Sequence, residues 1–153
     1  MKNKQSKINA VFCGLLREPE IFKKSLVDFV QLRREGLIDN IVFSTWKGEL
    51  QQSPEIYNLL KKEKVVLIES EEPKDRGHGS IWCQMKSLEV ALKRVGAGKF
   101  ILKTRTDVYI NPDFLRKIFS EKKRLLKIKY YLPMGNIFKY KIWIPWFEVT
   151  RPF

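Results

Sequence analysis

Residues 100–107 read Phe100-Ile101-Leu102-Lys103-Thr104-Arg105-Thr106-Asp107, an apolar opening followed by charges that alternate with small hydroxyls. Burying the three charged side chains unpaired would cost several kcal/mol per ion, so they belong at the mouth of a strand, side by side. There Lys103, as a point charge, and Arg105, through its planar fork, could hold a diphosphate. Asp107 could take a divalent cation or a ligand hydroxyl. The same residues also admit a plainer arrangement, an Arg105–Asp107 ion pair that only fixes the strand end.

The elements that must position this segment are legible in the apolar pattern. Residues 8–16 form a near-continuous apolar run, the mark of a strand covered on both faces. Helical spacing follows through Phe22, Leu26 and Phe29, and Gly36 ends that helix. Short strands are predicted at residues 40–45, 64–69 and 99–104, and a helix opens at Ser53-Pro54. Ile81, Met85, Leu88, Leu92 and Val95 predict one unbroken inward face of a long helix, stopped by Gly96-Ala97-Gly98. Asn111-Pro112-Asp113 is an N-cap signal for a helix through about Lys123.

Strands alternating with helices predict an α/β fold: a mostly parallel, Rossmann-like sheet covered by helices on both faces. Ligands of such sheets bind beyond the carboxyl ends of the strands, which selects the loops at residues 16–20, 44–48, 70–80 and 105–111. Several residues near these loops have both a binding reading and a plain one. Trp46 is a stacking platform or a half-exposed loop aromatic. Gln84 touches a ligand or holds the preceding loop. Arg17 and Glu18 form a solvated turn pair in the plain reading. His78, the only histidine, lies between Gly77 and Gly79 and reads as solvated rather than as a catalytic base.

Thirty Lys and Arg stand against seventeen Asp and Glu, a net charge of +13. Residues 114–153 alone hold ten basic and two acidic residues. Such a surface attracts phosphate, whether on a nucleotide, a nucleic acid or an anionic membrane. Cys13 and Cys83 fall in predicted core segments and read as reduced thiols. No run approaches the roughly 20 apolar residues of a spanning helix, and no cleavable leader is evident, so a cytoplasmic location is expected.

The segment ILKTRTDVYI, residues 101–110, resembles the Lys-x-Arg-x-Asp signature of the WavE lipopolysaccharide-synthesis family. Ser44-Thr45-Trp46 resembles that family's Ser-Thr-Trp. Gln84 resembles the Gln of its Arg-Gln pair, with Cys83 in place of the Arg. The resemblance covers residues 8 to about 115 and implies a GT-A-like glycosyltransferase acting in bacterial surface polysaccharide synthesis. It implies that Lys103, Arg105 and Asp107 replace the Asp-x-Asp element that presents a sugar nucleotide. Ser44 and Thr45 would approach the nucleotide, with Gly14 and Arg17 near the base or ribose. Mn²⁺ or Mg²⁺ is the implied cofactor, although only one carboxylate is present in the motif.

The implied partners are a nucleotide-diphosphate sugar and a glycan or lipid-linked acceptor. Residues 1–123 are then the nucleotide-sugar-binding domain, and residues 124–153 a basic aromatic tail, part of an incomplete C-terminal domain in a shortened relative. That tail mixes Tyr130, Tyr131, Tyr140, Trp143 and Trp146 with many lysines, which suits an anionic membrane boundary at the inner face of the cytoplasmic membrane. Two readings compete with transfer: a remnant without catalysis that binds a sugar nucleotide, and a basic nucleic-acid-binding module. The second lacks any standard nucleic-acid-binding signature.

Overall fold

The structure, a computed structural model, describes residues 8–95, 100–120 and 142–143. Its elements in chain order are β1 (Ile8–Cys13), α1 (Pro19–Arg34), β2 (Asn40–Trp46), α2 (Pro54–Lys62), β3 (Val66–Ser70), α3 (Ile81–Val95), β4 (Phe100–Arg105), α4 (Pro112–Ser120) and β5 (Ile142–Trp143). The strands form one sheet in the order β3-β2-β1-β4-β5, and every pairing is parallel. This is the expected α/β, Rossmann-like class. The proposed tail at residues 124–153, apart from β5, lies outside the described residues. So do the Gly96-Ala97-Gly98 stop and any continuation of α4 to Lys123.

Strand alternation divides the core into two layers. Ala10, Phe12, Ile41, Phe43 and Leu102 face α1, α2 and α4, and pack with Phe22, Leu26, Phe29, Ile56, Leu60 and Leu115. Phe12 meets Phe22 and Phe29 edge-on, with ring centroids 5.3 Å and 4.9 Å apart. Each such ring withdrawn from water contributes about 1.5–3 kcal/mol. Val11, Cys13, Val42 and Ile101 face the other way, under Leu88, Ala91 and Leu92 of α3. Helices therefore cover both faces.

Local chemistry sets the helix ends. Gly36, at φ +76°, closes α1: its N–H donates to the Arg33 carbonyl and that of Leu37 to the Leu32 carbonyl. This is the paired closure that a left-handed residue after a helix permits. Asn111 caps α4 by accepting from the Asp113 N–H at 2.8 Å.

One expectation is corrected. Ile81 and Met85 do not extend the inward face of α3, for they are 49% and 54% exposed. The fully or nearly buried line is Cys83, Ser87 and Ala91. These small side chains let the helix lie close on the sheet, and hydrogen bonds from Ser87 to β2 set its rotation. Among the described residues no helix is long and apolar enough to cross a membrane.

Candidate functional site

Beyond the carboxyl ends of β1, β2 and β4 lies a cleft of about 390 Å³, a size within the usual range for ligand pockets. β4 supplies its basic wall. Ile101 belongs to the layer under α3, so alternation puts Lys103 and then Arg105 on that same face. Arg105 is the last residue of β4, and Asp107 follows just past the strand. All three line the cleft.

The loop after β1 forms the floor, through Gly14, Leu15 and Arg17. Three ties hold it. The Gly14 N–H donates to the Ser44 carbonyl at 3.1 Å. The Leu16 N–H donates to Glu49 Oε1 at 2.7 Å. The Thr106 hydroxyl donates to the Leu15 carbonyl. Gly14 adopts φ +117°, backbone that a side chain would strain. Opposite stand Glu72, Arg76 and Ser80 from the loop before α3, with Cys83 and Gln84 from its first turn. Ser80 carries a left-handed φ of +60°, uncommon outside glycine.

The cleft thus gathers four cations, Arg17, Arg76, Lys103 and Arg105, and two carboxylates, Glu72 and Asp107. Both carboxylates are taken. Asp107 receives a two-pronged pair of hydrogen bonds from Arg105, Nε to Oδ1 at 2.8 Å and a terminal nitrogen to Oδ2 at 2.5 Å. Glu72 lies 3.0 Å from Arg76. Among the described residues Arg17 and Lys103 make no ion pair or hydrogen bond through their side chains. Burial works against the charge of Asp107, but the hydrogen bonds and charge of Arg105, with the charge of Arg17, outweigh it and hold the carboxyl below its ordinary range. Burial pushes the Cys13 thiol up to about 11, although Ser87 and Lys103 act to lower it.

Seven of the nine site residues expected from sequence line this one cleft: Gly14, Arg17, Trp46, Gln84, Lys103, Arg105 and Asp107. Trp46 is only 5% exposed, so it closes a wall and has no free face on which a base could stack. Ser44 and Thr45 do not reach a ligand here, since both are fully buried. Ser44 donates to the Ser87 carbonyl at 2.8 Å and its own carbonyl accepts from Ser87 Oγ at 2.9 Å. Thr45 follows Ile41 and Phe43 onto the opposite face by alternation. His78 is exposed and is not part of the wall.

Arg76, Glu72, Cys13 and Cys83 were not singled out from sequence as site residues. The rule that ligands bind at strand ends did select the loop carrying Arg76, but nothing in composition separates it from other surface arginines. The donor set does not by itself fit Mn²⁺ or Mg²⁺. Both oxygens of Asp107 are committed to Arg105, and among the described residues no three His, Cys, Asp or Glu side chains converge. Comparison of the chain with protein-family models, curated proteins and solved structures finds no match.

Proposed function

We propose that the cleft binds the diphosphate of a sugar nucleotide and that the chain is glycosyltransferase-like. One observation carries this reading: the surplus of positive charge at the strand ends, four cations against two carboxylates, where Arg17 and Lys103 make no side-chain ion pair or hydrogen bond among the described residues. A diphosphate matches it in charge, and Arg105 matches a phosphate in shape. The position at the carboxyl ends of a parallel sheet supports the same reading. So does the likeness of Lys103, Arg105 and Asp107 to the WavE signature, which extends the proposal to surface polysaccharide synthesis.

In the transfer, the bond between the anomeric carbon and the diphosphate oxygen breaks, and its electron pair leaves with the diphosphate. Arg17, Lys103 and Arg105 stabilise that developing charge. The acceptor hydroxyl oxygen bonds to the anomeric carbon and its proton passes to a general base. The proposal carries with it a glycan or lipid-linked acceptor and a cytoplasmic location, at the inner membrane face when the acceptor is lipid-linked.

Thermal unfolding with UDP, GDP, CDP and inorganic pyrophosphate, each with and without Mg²⁺ or Mn²⁺, tests it. A ligand at a hundred times its Kd should stabilise the fold by about 2.7 kcal/mol. Arg105→Ala and Lys103→Ala should each remove most of that gain. A melting point unmoved by every diphosphate at millimolar concentration overturns the proposal. A larger shift from a single-stranded oligonucleotide favours nucleic-acid binding instead.

A further inference from the structure

We propose that Asp107 is an internal anion: its carboxylate holds the fork of Arg105 until the phosphate of a ligand takes its place, so Asp107 sets which anions the cleft accepts. This rests on the reading of the cleft as a phosphate site and concerns how that site is regulated. The two-pronged contact of Asp107 with Arg105, at 2.8 Å and 2.5 Å, is the geometry by which a guanidinium grips two phosphate oxygens. Arg17 also acts on the Asp107 carboxylate, which therefore lies under the influence of two arginines, as a bound anion would. The alternative, that the pair merely secures the strand end, leaves little for it to secure. β4 is already laddered to β1 through Arg105, opposite Cys13, and Thr106 bonds the Leu15 carbonyl.

The exchange is cheap and selective. The Arg105 side chain is 51% exposed and that of Asp107 21%, and ion pairs in contact with water contribute little net stability. A monoanionic carboxylate ligand would replace like with like. A diphosphate brings more charge, and Lys103, two residues earlier on the same face, has no counter-ion among the described residues to give up. Glu72 makes a second carboxylate–arginine ion pair in the cleft, with Arg76 at 3.0 Å.

Calorimetric titration of sodium pyrophosphate in EDTA-containing buffer, into the parent chain, Asp107→Asn, Arg105→Ala and the double variant, tests this. Asp107→Asn should bind about tenfold more tightly than the parent, the scale of one charge-assisted hydrogen bond freed. Arg105→Ala should bind more weakly, and the double variant should match it, because Asp107 acts through Arg105. If the parent binds pyrophosphate and Asp107→Asn binds equally or less well, the inference fails while the donor-site reading stands. If only Asp107→Asn binds, the inference stands and the donor-site reading fails. Binding by neither overturns both. Should Asp107→Asn not fold, the carboxyl carbon resonance of Asp107 in the parent decides: it should move when pyrophosphate binds, and a stationary resonance with ligand bound overturns the inference.

Discussion

Lys103, Arg105 and Asp107 reach the cleft together because a strand sends alternate residues to one face, and the segment keeps that spacing past its last strand residue. The same rule explains which neighbouring residues failed to arrive. Trp46 falls on the cleft side of β2, whereas Ser44 is held by α3 and Thr45 turns to the other layer. Sequence alone does not say how far a helix will reach over a strand, so Ser44 and Trp46, two residues apart on one face, could not be told apart. Cys13 offers a test at this scale. Its thiol rises from 9.0 to about 11 through burial, so the unfolded chain loses that proton first. The stabilisation is complete below pH 9 and is lost as pH rises through 11. Chemical unfolding of the parent against Cys13→Ala should show a relative loss approaching roughly 3 kcal/mol across that window.

The elements were more legible than the contacts between them. Short apolar runs marked four strands and turn residues marked the helix ends, because backbone geometry constrains both locally. Asn111 before Pro112 and Gly36 after α1 do what their types predict. The rotation of α3 was misread because its apolar periodicity is real, yet the packing contact runs through small residues that carry little hydropathy. Ser87 is the pin of that contact, with Oγ 2.9 Å from the Ser44 carbonyl and 3.1 Å from Ser44 Oγ. Ser87→Ala should cost about 1–3 kcal/mol in thermal or urea unfolding, because it removes a buried partner. Ser44→Ala combined with Ser87→Ala should cost less than the sum of the two, since each leaves the other unmatched.

Across the whole molecule, a net charge of +13 sets a field that draws any anion, and the cleft concentrates it. Pyrophosphate affinity should therefore fall as salt rises from 50 to 500 mM, with on-rate falling more than off-rate rises, as stopped-flow measurement would show. The overall class was readable because alternating strands and helices leave few ways to form one sheet. The charge pairs inside the cleft were not, since they depend on which loops meet in space.

Those meetings span long stretches of chain. The Thr106–Leu15 tie joins residues 91 apart in sequence, and β1 lies between β2 and β4. The wall of the cleft is thus assembled from distant segments and cannot exist in any fragment that lacks the β1–β4 ladder. Capture of a phosphate ligand would then report completed folding, appearing only after the slow closure of that long loop and trailing the faster local growth of α1 and α2.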